Sequence, residues 1–214
     1  MQKQEVYESE ADAWFLRNHS RLLTVSEFID VNFIKNELKE FQNLELRILE
    51  IGCSAGVKLK EYQKFFNGEA IGVDPSRLSI REARKIHSSN KLDFVIGDAS
   101  SLNMPSFSFD LVIFGFCLYL IDDEELLLSI REALRVLKKG GFLVITDFDV
   151  RSNIEVAYKH NNKLKTFKRN YVDLLRDFPN LHLVSKKSYG EYADSFQPDE
   201  NNRICTLIFY LENS

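Results

Sequence analysis

An open, mostly parallel α/β sheet with helices on both faces is the fold that the sequence predicts, and three observations predict it. Five short apolar segments between residues 46 and 146 alternate with segments of helical length and spacing. The fourth of them, Asp110–Phe114, is apolar throughout beyond its leading acid, as a strand buried on both faces should be. The tail reads differently. Leu181–Lys186 and Arg203–Leu211 have strand character, and the short loop Gly190–Asn202 between them has no helical period. An antiparallel pair on the sheet edge follows, for seven strands in all.

Taken in order, residues 11–42 read as helices, with Ser26 the expected N-cap of one whose apolar stripe is Phe33, Leu38 and Phe41. Arg47–Ile51 is the first strand. Gly56–Phe66 follows as a helix, with Leu59, Tyr62 and Phe66 at helical spacing. Ala70–Val73 is the second strand, Leu78–Ser88 a helix and Asp93–Ile96 the third strand. After the fourth strand, Asp122 or Asp123 caps a helix with Leu127, Ile130, Leu134 and Leu137 on one side. Lys138 and Lys139 suit its last turn, where cations meet the negative helix end, and Gly140-Gly141 stop it. Phe142–Thr146 is the fifth strand, and Asn170–Phe178 a helix before the edge pair. The expected organisation is one domain over 1–214: a helical cap (1–44), a core (45–149), and an insertion with the edge strands (150–214).

Composition narrows the class. Of 214 residues, 44% are hydrophobic and 28% charged, so a packed core rather than disorder is expected. A net charge of −4 offers no general attraction to polyanions, so nucleic acid is not an expected partner. Cys53, Cys117 and Cys205 are odd in number and far apart, and the four histidines show no metal-ligand spacing. No metal and no disulfide framework are expected. The N-terminus is polar and acidic, and the longest apolar run, Leu111–Ile121, is too short to span a membrane. A cytoplasmic protein without a membrane partner is the expectation.

The chemistry gathers at strand ends. In an open α/β sheet, ligands bind where connections part at the carboxyl ends of strands. The first strand ends in Ile48-Leu-Glu-Ile-Gly-Cys-Ser-Ala-Gly56, where Gly52 and Gly56 allow a tight turn ahead of a helix. A dinucleotide enzyme would show G-x-G-x-x-G here, since pyrophosphate needs the exposed amides. This loop is G-x-x-x-G and carries a carboxylate, Glu50, which suits a cationic ligand better than a pyrophosphate.

These residues resemble the class I S-adenosylmethionine (SAM)-dependent methyltransferases, whose fold is Rossmann-like. LEIGCSAG resembles the family's first motif, IGVDPS its second-strand motif and VIGDAS its third-strand motif. FDLVIFGFCLYLID and ALRVLKKGGFLVITD resemble the elements that follow, so that the likeness covers residues 46–149. Ser54 stands where many members carry a glycine. The resemblance implies that Glu50, Gly52, Cys53, Ser54 and Gly56 hold the methionine part of SAM. By the same likeness Asp74, beside Pro75, takes the ribose hydroxyls, and Asp98 and Ala99 the adenine. It further implies that Phe114, Gly115 and Phe116 line the SAM and acceptor pockets, Phe116 on the acceptor side, and that N-terminal helices close over the cofactor. The likeness then puts Trp14 or Arg17 at the SAM carboxylate, against a plainer reading of an amphipathic helix with Trp14 in the core. Asp74 has a plainer reading as the cap of a helix beginning at Pro75.

Residues 150–171 follow the fifth strand, where the family builds its acceptor sites. Tyr158, His160, Lys165, Lys168, Arg169 and Tyr171 form a basic, aromatic cluster there. The plain reading is a solvated face; the functional one is recognition of a polar or anionic small-molecule acceptor by Tyr158, Lys165 and Lys168. AWFLRN (13–18) and TFKRNY (166–171) resemble methyltransferases of bacterial surface-sugar clusters, which implies a sugar or similar polar metabolite. His160 is read as a general base or acceptor ligand, since an imidazole is largely neutral at pH 7, with an ordinary surface histidine as the plainer reading. Transfer of a methyl group from SAM, leaving S-adenosylhomocysteine (SAH), is the expected activity. A SAM-binding module without turnover is the alternative, and a nicotinamide oxidoreductase is disfavoured by the glycine pattern.

Overall fold

The computed structural model describes residues 4–25, 27–87 and 89–213. Two helices come first, α1 (Gln4–Thr24) and α2 (Ile29–Glu37). Ser26, the expected cap of α2, lies outside the described residues. The alternating core follows: β1 (Ile48–Ile51), α3 (Val57–Phe66), β2 (Ala70–Asp74), α4 (Arg77–His87), β3 (Leu92–Ile96), β4 (Phe109–Gly115), α5 (Asp123–Val136) and β5 (Leu137–Phe148). Next come a hairpin of β6 (Ile154–Ala157) and β7 (Lys165–Lys168), the short α6 (Tyr171–Leu175), and the long strands β8 (Leu181–Gly190) and β9 (Arg203–Leu211).

Seven strands form one sheet in the order β3-β2-β1-β4-β5-β9-β8. The first five are parallel, and β9 runs antiparallel to both β5 and β8. This is the predicted sheet with its antiparallel edge pair. Alternation of side chains sends successive strand residues to opposite faces. Leu49, Ile51, Val112 and Phe114 pack on one face with Leu126, Ile130, Ala133 and Val136 of α5. Ile48, Leu111, Ile113 and Val144 pack on the other with Ile34 of α2 and Leu59, Tyr62 and Phe66 of α3. The order reverses between β1 and β4, so their carboxyl ends open a crevice.

Several boundaries differ from the sequence reading. Helix α5 is capped by Asp122, which accepts from the Glu125 amide at 3.1 Å, and it ends at Val136 rather than running through the lysines. Lys138 and Lys139 belong to β5, and the Lys138 ammonium instead meets Asp110 at 2.8 Å. Leu127 faces outward, because the buried side of α5 is Leu126, Ile130, Ala133 and Val136. In α2 the buried residues are Asp30, Val31 and Ile34, with Phe33 only partly covered. The hairpin β6–β7 was not read from the sequence at all.

Candidate functional site

The loop after β1 turns back on itself before α3. The amides of Gly52 and Cys53 both donate to the Val73 carbonyl, at 2.8 and 3.1 Å, which ties the loop to the end of β2. Three loop residues take positive φ: Gly52 at 77°, Ser54 at 47° and Gly56 at 73°. Gly56 must be glycine on two counts, since a Cβ there would sit 2.2 Å from the Phe94 ring. Ser54 carries strain that a glycine would not, at a position where strain gathers in functional loops.

A cavity of about 730 Å3 opens above these strand ends. Its floor is Glu50, Gly52, Cys53, Ser54, Ala55 and Val73. Asp74 and Pro75 border it at the end of β2, Asp98 and Ala99 beyond β3, and Gly115 and Phe116 at the end of β4. Helix α1 lies over one side with Trp14, Asn18 and Arg21, and Tyr119, Tyr189 and Tyr192 form much of the far wall. Asp12 fastens α1 there: it accepts from Ser76 Oγ at 2.6 Å and from the Leu78 amide at 3.1 Å, capping α4 from outside. The sequence reading missed this anchor, which a lone acid within a helix does not announce.

Two buried polar atoms on the floor have no hydrogen-bond partner, Glu50 Oε2 and Ser54 Oγ. Burial pushes the Glu50 carboxyl up to about 8, against the pull of the nearby Lys58 ammonium and with help from Asp30 and Asp74. Lys58 itself pairs with Asp30, also on the cavity wall. Asp74 is pushed up to about 6, again by burial, although three donors oppose this. Those donors are the Ser54 amide on Oδ2 at 2.8 Å, and the Ser76 amide (2.8 Å) and Ser79 hydroxyl (3.4 Å) on Oδ1. Asp74 therefore performs the plain role of shaping a helix start while also facing the cavity. Asp98 accepts from the amide and hydroxyl of Ser100 on Oδ1, both at 2.6 Å, and has Oδ2 to offer a ligand. Burial raises the thiols of Cys53 and Cys117 well above their ordinary value, so neither is set up as a nucleophile.

Ten of the sequence-predicted residues thus share one cavity: Glu50, Gly52, Cys53, Ser54, Asp74, Pro75, Asp98, Ala99, Gly115 and Phe116. Others lie elsewhere. Gly56 lies against the Phe94 ring and not in the cavity wall, and Phe114 is fully buried in the core beneath α5. Arg17 pairs with Glu10 and donates to Tyr158 Oη at 3.1 Å, whereas its neighbour Trp14 faces the cavity. Tyr158 is buried behind Tyr119. Lys165 pairs with Glu155 on the exposed side of the hairpin. The Lys168 ammonium bonds the Asn201 carbonyl at 2.6 Å over the Phe148 ring, so its charge fastens the hairpin and does not point at a ligand. His160 is exposed, edge-on to Tyr158, and is not part of the cavity wall. Among the described residues no cluster of His, Cys, Asp and Glu could hold a metal, and no helix is long and apolar enough to cross a membrane.

Residues 48–141 match the family model described as a methyltransferase domain. The chain is 31% identical over 112 residues to a phthiotriol/phenolphthiotriol dimycocerosates methyltransferase of Mycobacterium ulcerans, covering 52% of this chain and 40% of that one. It is 29% identical over 102 residues to a ubiquinone/menaquinone biosynthesis C-methyltransferase of Desulfotalea psychrophila, covering 47% and 41%. The chain therefore spans less than half the length of these relatives. Among solved structures, a putative methyltransferase of Haloferax volcanii, in complex with a methyltransferase activator, superposes with a TM-score of 0.70. It is 16% identical, over 97% of this chain and 98% of that one. A SAM-dependent methyltransferase of Methanosarcina mazei gives 0.64 at 19% identity, over 83% and 98%. At such identities the likeness is one of fold, and the fold is the Rossmann-like sheet of these methyltransferases.

Proposed function

We infer that this chain is a SAM-dependent methyltransferase acting on a small-molecule acceptor. The observation that carries the reading is the unpartnered, buried carboxylate oxygen of Glu50 on the cavity floor, with Asp74 and Asp98 at the next two strand ends. A buried acid without a partner is costly, and a cationic ligand removes that cost. SAM carries such a cation in its ammonium group. Its ribose hydroxyls match the spare acceptor capacity of Asp74, and its adenine amino group that of Asp98. Ser54 Oγ, also without a partner, offers the methionine end a further hydrogen bond. When bound, SAM supplies an electrophilic methyl group: an acceptor lone pair forms the new bond to carbon, and the carbon–sulfur electron pair stays on sulfur.

The protein's share of the work is positioning and exclusion of water. Helix α1, fastened by Asp12, covers the floor. Phe116 is held at a φ of 63° with its ring against Tyr119 and Phe148, at 5.2 and 5.3 Å. With Trp14, Phe28, Tyr189 and Tyr192 it makes a largely aromatic wall beyond the cofactor end. That wall supports an acceptor with an apolar body over a sugar. An anionic acceptor rested on Lys165 and Lys168, and both side chains are engaged elsewhere. The names of the two relatives above mention dimycocerosates and quinones, which supports the same class. A cytoplasmic setting accords with three free cysteines.

The experiment is transfer of tritiated methyl from SAM to a panel of aromatic and aliphatic hydroxyl compounds, amines and sugars. The expected result is labelling of an apolar-bodied compound. Labelling of charged sugars alone would overturn the acceptor class, and SAH binding with no labelling at all would favour a module without turnover.

A further inference from the structure

Three buried hydroxyls form a short chain where the sheet meets the far wall of the cavity. Thr146 of β5 and Thr206 of β9 are partners across the antiparallel pair, and their Oγ1 atoms lie 3.0 Å apart. Tyr189 of β8 reaches the same place, its Oη 2.9 Å from Thr206 Oγ1. Thr206 is fully buried behind the other two, which both line the cavity. Two residues along the same strands, and so on the same face of the sheet, stand Val144, Ile204 and Ile208. A valine fills nearly the volume of a threonine without a polar group to bury, so packing alone does not ask for hydroxyls here.

The protons of this chain do not balance within the protein. Three hydroxyls carry three protons, and two hydrogen bonds use two of them. Among the described residues, none of the three oxygens has a further partner. If Tyr189 donates to Thr206 and Thr206 to Thr146, the proton of Thr146 is left over. If the chain runs the other way, that of Tyr189 is left over. Were both ends to donate inward, the fully buried Thr206 proton would be orphaned, which buried polar groups avoid. One end of the chain therefore has a proton to give to the cavity, and the other has lone pairs alone.

We propose that Thr146 and Tyr189 bind a hydroxyl group of the acceptor, and that the acceptor is an apolar-bodied alcohol or phenol. The proposal rests on the methyltransferase reading above and names the acceptor class of the same site. A carbonyl takes a hydrogen bond and gives none, and an ammonium gives and never takes. A hydroxyl does both, so it completes the chain whichever end holds the spare proton. An anion finds no free cation there: the cations of the cavity wall are Arg21, which is paired with Glu191, and Lys58, which is paired with Asp30. The place of the chain suits an acceptor. Thr146 is the partner of Gly115 across β4 and β5, and a Cβ on Gly115 would lie 3.0 Å from Glu50 Oε1. The chain thus starts one strand from the cofactor floor and runs to Tyr189 in the aromatic wall, where the body of the acceptor is to lie.

The test does not need the natural acceptor. p-Cresol and toluene share an apolar ring and differ by one hydroxyl, and each is titrated by NMR into protein saturated with SAH. p-Cresol is expected to bind about 30-fold more tightly, the worth of two net hydrogen bonds. Thr146→Val and Tyr189→Phe should each reduce that preference to about 5-fold, and the double variant should abolish it. SAH affinity should be the same in all four proteins, which also shows that the variants fold. p-Cresol bound no more tightly than toluene, or a preference undiminished in the double variant, would overturn the proposal. Variants that melt lower but keep the preference would do the same, since the chain would then serve the sheet alone. The compound labelled in the transfer assay should carry a hydroxyl, and Tyr189→Phe should raise its KM more than it lowers its kcat. Labelling confined to amines without a hydroxyl would overturn the acceptor class. Absence of SAH binding would instead count against the methyltransferase reading, and the preference for p-cresol would then be read in the free chain.

Discussion

Replacing Glu50 by glutamine should stabilise the free protein while disabling it. The folded chain holds this carboxyl at about 8, because burial penalises its charge, against an ordinary value of 4.5. Between those two values the unfolded chain has released the proton and the folded chain has kept it. Stability therefore falls as pH rises through this window, by about 1.4 kcal/mol per unit for this one group. At pH 7 the accumulated loss is about 3 kcal/mol, and a neutral glutamine of the same shape avoids it. For a chain of this size that corresponds to a Tm raised by about 6–12 °C. Below pH 4.5 both side chains are neutral and the two proteins should melt together. The assay is thermal unfolding of ligand-free wild type and Glu50→Gln from acid to mildly alkaline pH. Asp74 and Asp147, held up to about 6 and about 7, drift in the same direction but cancel in the difference. A difference that stays flat with pH, or a variant that melts lower throughout, would refute the reasoning. Because bound SAM restores the charged form of Glu50, affinity for SAM should rise with pH up to about 8 in wild type and lose that dependence in the variant.

Asp74→Asn should weaken SAM binding by about 2 kcal/mol, the loss of a charge-assisted hydrogen bond, with the fold kept because the amide oxygen still accepts from a loop N–H; calorimetry of both proteins checks this. Gly56→Ala should destabilise the chain by about 2–4 kcal/mol, from strain at a φ of 73° and overlap with Phe94, read as a lowered denaturation midpoint. His160→Ala should keep transfer activity within a few-fold of wild type, and Lys168→Ala should lower Tm through the loosened hairpin without changing SAH affinity, as transfer assays and melting curves will show.

The strand ends were legible because their chemistry is local. A carboxylate two residues before a positive-φ glycine, and acids closing the second and third strands, are spaced along the chain as they stand around the cavity. Glu50, Asp74 and Asp98 accordingly line one cavity. The hairpin over 154–168 was not legible, since the brief alternation of Ile154 and Val156 is broken off by a polar turn rich in lysine and asparagine. Its order comes from distant partners: Tyr158 and Leu164 against Tyr119, and Lys168 over Phe148. The same distance hid the acceptor side. Tyr119 and Tyr158 lie far apart in sequence and pack together only once the hairpin folds against the cavity wall. The end of α5 was misread for a related reason. Lys138 suits a helix end, but the Asp110 carboxylate on the neighbouring strand holds it in β5.

The most direct test of the cofactor site is titration calorimetry of SAH into the wild-type chain at pH 7.5. The account predicts one SAH per chain with a dissociation constant on the order of micromolar, about −8 kcal/mol. A heat that varies with the buffer's own heat of protonation should accompany it, because Glu50 releases its proton to the buffer as the ammonium group arrives. No heat of binding at millimolar SAH would contradict the account at its centre.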